Sequence, residues 1–144
     1  MIKVIYPEHP YQIRGEKGKE YIFDAFRKLW VRLTPEEWVR QNFLQYLVKG
    51  MNYPPALIAV EKEIQLGELR KRFDILVYNR SHLPWMMIEC KSTEIPINDQ
   101  VLGQILRYNM SVPVPFLVIT NGSYVYAYEI KAGNIEALEG LPPL

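Results

Sequence analysis

Arg72-Phe73-Asp74-Ile75-Leu76-Val77-Tyr78, followed eleven residues after Tyr78 by Glu89-Cys90-Lys91, is the stretch whose reading decides this fold. A carboxylate heads one apolar run, and a Glu-x-Lys ends the next, Trp85-Met86-Met87-Ile88-Glu89-Cys90-Lys91. The second run is apolar on both faces until its Glu, the pattern of a central strand covered on two sides. Side chains alternate across a strand, so Glu89 and Lys91 share one face and Cys90 takes the other. An antiparallel hairpin with a symmetric connection over 79–84 sets Tyr78 opposite Trp85, Leu76 opposite Met87 and Asp74 opposite Glu89. Facing Cβ atoms then lie about 4.5–5.5 Å apart. Like charges that close repel unless a cation joins them.

Asp74, Glu89 and the backbone carbonyl of Cys90 make a set of hard oxygen donors suited to Mg²⁺, with Mn²⁺ as a substitute. Lys91 beside them can orient or deprotonate an attacking water and offset charge building on a phosphoryl group. The constellation points to phosphodiester hydrolysis with Asp74, Glu89 and Lys91 as its core. The plainer reading of Glu89 and Lys91 is a surface charge pair at a strand end. An Asp falling opposite, between flanks this apolar, argues against it.

Working outward, Thr34-Pro35-Glu36-Glu37 is a helix start: Thr34 as N-cap, Pro35 at the first helical position, Glu37 as capping-box partner. The helix is expected to run to about Lys49, stopped by Gly50, with Val39, Phe43, Tyr46 and Leu47 as its apolar stripe. Glu36 lies on that stripe, toward the sheet, and is the choice for a third carboxylate at the site. Glu37 already has a capping role, and both acids suit a helix N-terminus. Residues 11–33 read as short strands joined by Gly15-Glu16-Lys17-Gly18, and 57–65, 70–78 and 85–91 as three more. A helix from Asn98 to about Asn109 puts Val101, Ile105 and Tyr108 on one side. Gln104 stands one turn before Tyr108, placed either to hydrogen-bond a phosphate or to form the polar edge of a packed helix. Residues 114–120 form a buried strand, and Asn121-Gly122 turns the chain into Tyr124–Tyr128. Tyr124, Tyr126 and Tyr128 read as one face of that strand. The fold class is α/β, a mixed sheet flanked by helices.

At 144 residues, 49% of them hydrophobic, the chain has the length of a single domain over 1–144 and enough apolar surface for a core. No apolar run approaches the roughly 18–20 residues of a membrane helix. Met1-Ile2-Lys3-Val4-Ile5-Tyr6-Pro7 lacks the pattern of a secretion signal. One cysteine excludes internal disulfides and fits a reducing cytoplasm, and Cys90 is expected to be a buried small hydrophobe. His9 and His82 are too far apart in sequence to suggest a zinc site, and His82 falls in an exposed turn. No GxxxxGK[ST] loop is present, so ATP-driven chemistry is not expected within this chain. Net charge is +1, so any nucleic-acid contact rests on local clusters. Arg70-Lys71-Arg72, just ahead of Asp74, is the cluster placed for phosphate; Lys17 and Lys19 read as solvated surface charge.

Asp74, Glu89-Cys90-Lys91 and Gln104-x-x-x-Tyr108 together resemble the PD-(D/E)xK nuclease superfamily. Thr34-Pro35-Glu36-Glu37-Trp38-Val39-Arg40-Gln41, Lys71-Arg72-Phe73-Asp74-Ile75, Ile88-Glu89-Cys90-Lys91, Gln104-Ile105-Leu106-Arg107-Tyr108-Asn109 and Thr120-Asn121-Gly122 are more narrowly similar to the N-terminal nuclease domain of type I restriction enzyme R subunits. The likeness covers about 20–140. It implies a restriction-endonuclease-like fold, Mg²⁺ dependence, a DNA substrate, and Asp74, Glu89 and Lys91 as catalytic set with Glu36, Gln104 and Tyr108 assisting. Phe73 stands where the superfamily usually has Pro. R subunits also carry a translocase after this domain, and this chain ends at Leu144. It is therefore expected to act free-standing or to borrow motor and specificity from partner subunits; double-strand cutting would be simplest for a homodimer. The alternative is a catalytically silent DNA-binding or assembly module.

Overall fold

Lys17 and Gly18 both adopt positive φ, +52° and +76°, as a tight two-residue hairpin turn requires. They join β1 (Ile13–Glu16) to β2 (Lys19–Asp24), and β3 (Leu29–Arg32) completes a three-stranded antiparallel sheet. The computed structural model describes residues 1–144. Helix α1 (Pro35–Gln45) begins as its sequence dictates, the Thr34 hydroxyl accepting a hydrogen bond from the Glu37 amide at 3.0 Å. It does not continue as α-helix to Lys49. From Tyr46 to Gly50 the chain widens into a π turn, Met51 N–H donating to the Tyr46 carbonyl at 3.0 Å. Gly50 permits this, because a Cβ there would lie 2.9 Å from the Tyr46 ring.

The main sheet has six strands in the spatial order β4 (Ile58–Leu66), β5 (Leu69–Tyr78), β6 (Pro84–Cys90), β7 (Phe116–Thr120), β8 (Val125–Lys131) and β9 (Asn134–Leu138). Every pair is antiparallel except β6–β7, whose crossover carries α2 (Asp99–Asn109). The fold is thus a mixed α/β architecture, as the element order predicts. Strand β9 is an addition to that reading; a two-residue turn, Ala132 and Gly133 at φ +52° and +80°, brings it back along β8. Helix α1 and the π turn after it pack on one face of the sheet through Val39, Phe43, Leu44 and Leu47, against Ile75, Val77, Met86, Ile88 and Cys90. Helix α2 lies over the other, where Leu102 meets Phe73, Leu76, Met87, Leu117 and Ile119.

Two expectations need correction. The buried face of α2 is Leu102 and Asn109, with Ile105 and Leu106 partly covered, whereas Tyr108 is 67% exposed. The hairpin register holds for Ile75–Ile88, Leu76–Met87 and Val77–Met86, but the expected Asp74–Glu89 pair is not in the ladder, and a bulge sets Tyr78 opposite Pro84 in place of Trp85. Proline has no N–H to donate to a regular ladder, which suits it to that slip.

Regular alternation would put residues 73 and 75 on one face. Instead Phe73 belongs to the α2-side core and Ile75 to the α1-side core. The pleat is broken at Asp74. On the neighbouring strand Glu61 takes φ +53°, and the Glu61–Asp74 pair is the one missing from the β4–β5 ladder. A left-handed non-glycine residue inside a strand is costly and re-aims the side chains around it.

Candidate active site

The break in β5 turns Asp74 toward the end of β6. Its Oδ2 accepts a hydrogen bond from the Cys90 amide at 2.7 Å. The N–H and C=O of one strand residue project to the same side, so the Cys90 carbonyl faces the Asp74 edge as well. The other side of Cys90 is tied to β7, where Lys91 N–H donates to the Thr120 carbonyl at 2.8 Å. Burial raises the Asp74 pKa to about 6 against the lowering effect of the Cys90 amide. The nearby Glu89 and Glu36 charges raise it further, and Arg40 opposes them. Three acidic residues therefore share one electrostatic neighbourhood. No three Asp, Glu, His or Cys side chains converge into a cage that could hold a metal by themselves. The oxygen set available is two carboxylates and a main-chain carbonyl, the sparse kind Mg²⁺ accepts while retaining waters.

On the α2 side, Glu89 and Lys91 both line an open cleft of about 450 Å³ with Lys71, Arg72, Gln104 and Tyr108. The shared face expected of Glu89 and Lys91 is present, with Cys90 buried on the opposite side. Burial drives the Cys90 thiol pKa well above its ordinary value, so it is no nucleophile. Glu89 does not pair with Lys91. Its Oε1 lies 3.5 Å from the Lys71 ammonium, which also sits 3.9 Å from the centre of the Tyr108 ring. Arg72 donates to Glu61 at 2.7 Å, while Arg70 pairs with Glu63 at 3.4 Å and does not line the cleft. Gln104 and Tyr108 both reach the cleft from α2, exposed and one turn apart.

Helix α1 brings its two acids to different places. Glu36 is nearly half exposed, 3.7 Å from Arg40, and close enough to Asp74 to raise its pKa. Glu37 is buried: Arg27 donates to it at 2.8 Å and Gln41 at 3.1 Å. Only its backbone caps the helix; the carboxylate anchors α1 to the small sheet through Arg27, which also binds Asp24. Arg40 was given no role by sequence reasoning. It is 4% exposed, hydrogen-bonded to Glu61, and the one cation that lowers the Asp74 pKa. Its spacing from Glu36 and Glu37, one helical turn, was the available signal; its link to Glu61 spans 21 residues and left none.

A family model described as type I restriction enzyme R protein N terminus matches residues 35–142. The chain belongs to that family. The match begins at α1 and takes in the whole six-stranded sheet, so every residue of the cleft lies within it. Among solved structures, the chain is similar to a fragment described as an HsdR subunit of a type I restriction enzyme from Vibrio vulnificus YJ016. That match has a TM-score of 0.52 at 21% identity and covers 77% of this chain. The chain spans 24% of that one, so the likeness concerns the fold of one part of a larger subunit. No curated protein matches the chain. Membership makes this a restriction-system domain of nuclease-like architecture. No helix is long and apolar enough to cross a membrane.

Proposed function

We propose that this chain is a Mg²⁺-dependent endodeoxyribonuclease domain of the PD-(D/E)xK type. The observation that carries the reading is the Asp74 carboxylate docked on the Cys90 amide beside Glu89, with Lys91 on the adjoining cleft and free of any ion pair. Asp74, Glu89 and the Cys90 carbonyl would hold the cation, and Mn²⁺ could substitute. When bound, it supplies Lewis-acid stabilisation of charge on the phosphoryl oxygens.

The protein's own groups do the rest. Lys91 orients the attacking water and donates hydrogen bonds to the phosphate as negative charge builds on it. The water oxygen adds to phosphorus as its proton passes to solvent, the bridging P–O bond breaks, and the nucleotide oxygen leaves with a proton from solvent. Gln104 positions a non-bridging oxygen from the α2 side. Arg72 and Lys71 supply the positive wall of the cleft, and Tyr108 braces it. Glu36 adds negative charge from the α1 side, and Arg70 serves DNA flanking the cleft. As one part of a restriction subunit, the domain would act in the cytoplasm with a motor and specificity subunits on other polypeptides or segments. Double-strand breaks would need two such sites, for which a homodimer is the simplest arrangement.

The test is nicking and linearisation of supercoiled plasmid by the wild type and Lys91→Ala, with Mg²⁺, Mn²⁺ or chelator. Metal-dependent cutting that falls roughly 10²-fold or more in Lys91→Ala is the expected result. Cutting that survives chelation, or that Lys91→Ala retains in full, would overturn the assignment. A wild type that binds metal and DNA without cutting would leave a DNA-binding or assembly module.

A further inference from the structure

Lys71 is a cation held in an unusual place. Its side chain is 6% exposed, yet its ammonium ends beside one carboxylate and one aromatic face: Glu89 at 3.5 Å and Tyr108 at 3.9 Å. Tyr108 belongs to neither core and is largely exposed. Arg72 is committed to Glu61, and Lys91 has no carboxylate partner. Of the cations around the cleft, only Lys71 sits on a carboxylate nominated for the metal. An ammonium and a divalent cation on one carboxylate repel each other strongly. Their repulsion disfavours holding both.

We propose that Lys71 is the resident counter-ion of Glu89, that it leaves this carboxylate when a divalent cation binds, and that the freed ammonium then takes a DNA phosphate. This deepens the nuclease reading and rests on it. The motion asked of Lys71 is small. A single ion pair and a ring face hold its ammonium, and the side chain is flexible with open cleft beside it. Tyr108 gives the ammonium a stable face to pivot on. The exchange makes metal and DNA mutually supportive: metal frees a phosphate-binding cation, and phosphate draws that cation off Glu89. Such coupling is reciprocal by linkage.

Calorimetric titration of Mn²⁺ into wild type, Lys71→Met, Lys71→Gln, Lys71→Arg and Asp74→Asn tests it. Both uncharged variants should bind Mn²⁺ on the order of tenfold more tightly than wild type, because the competing charge is gone. Lys71→Arg should stay near wild type. In parallel, anisotropy of labelled duplex DNA is read with chelator and with Ca²⁺. Lys71→Met should lose more DNA affinity with Ca²⁺ than in chelator, and with Ca²⁺ its log-affinity against log-salt slope should be smaller by about one phosphate. Thermal unfolding establishes that each variant is folded. Folded Met and Gln variants with unchanged or weaker Mn²⁺ affinity would overturn the exchange while leaving the nuclease reading intact. Mn²⁺ affinity unaltered in Asp74→Asn would overturn the metal site itself. Binding seen only in the uncharged variants would support the exchange, and binding in none of them would sink both.

Discussion

Asp74 is the carboxyl group on which the proposed metal site turns. It is turned inward by a break in its strand, held by a backbone amide, and faced by two other acids and one arginine. Its folded-state pKa, about 6, stands above the ordinary 3.8. Folding therefore favours the protonated form. Stability from this group is fully present below about pH 4 and is lost as pH rises through 6, leaving its whole cost at neutrality. In chelator, Asp74→Asn should stabilise the protein by roughly 2–3 kcal/mol at pH 7–8 and by little at pH 4. Urea unfolding at the two pH values checks this; equal effects at both, or a loss of stability at pH 8, would refute it. A functional carboxylate kept at a cost in stability is what an active site would show. Sequence reasoning reached Asp74 because a charge at the head of an apolar run is visible in a string of letters. The broken pleat was not visible. It depends on Glu61, thirteen residues away, adopting a left-handed backbone that no local signal announces.

At the scale of elements, local chemistry and long-range contact divide what could be read. The N-caps Thr34 and Asn98 and the Asn121-Gly122 turn were legible because their hydrogen bonds span two to three residues. The two central strands were legible because burial on both faces leaves an unbroken apolar run. The orientation of α2 was not. Val101, Ile105 and Tyr108 fit a helical stripe as well as Leu102, Ile105 and Leu106 do, and the choice is made by what lies below. The same limit hid the division of labour at the start of α1. Spacing favoured Glu36 as the inward acid, whereas the buried carboxylate is Glu37, held by Gln41 one turn along α1 and by Arg27 from the turn between β2 and β3, which helical spacing cannot weigh. Glu37→Gln should accordingly cost about 2 kcal/mol, because Arg27 and Arg40 each lose one carboxylate partner and keep Asp24 and Glu61. Glu36→Gln should change stability by less than about 0.5 kcal/mol. Chemical denaturation of both variants decides it. A Glu36 variant as damaged as the Glu37 variant would show that both acids serve the fold.

For the whole molecule, a net charge of +1 gives no long-range field toward DNA, so the proposed duplex contact would fall to the arrangement of charge in one cleft. Lys71, Arg72 and Lys91 line it against a single carboxylate, Glu89. The topology makes this possible: the one parallel pair of the sheet, β6–β7, needs a crossover, and that crossover carries α2 over the strand ends that bear Glu89 and Lys91. Three cations around one cleft set the size of the salt effect. With Ca²⁺ present to free Lys71, the slope of log affinity against log salt for duplex DNA should be about −3. Arg72→Gln should reduce its magnitude by about one. Arg70→Gln should alter it less, because Arg70 pairs with Glu63 away from the cleft. Anisotropy titrations across a salt series measure all three. A loss in Arg70→Gln equal to that in Arg72→Gln would mean the duplex also runs along the β4–β5 hairpin, and a wild-type slope near −6 would mean the contact surface extends well beyond the cleft. A slope near −3 would confine it there, and three phosphate contacts would confer only weak affinity on the domain by itself.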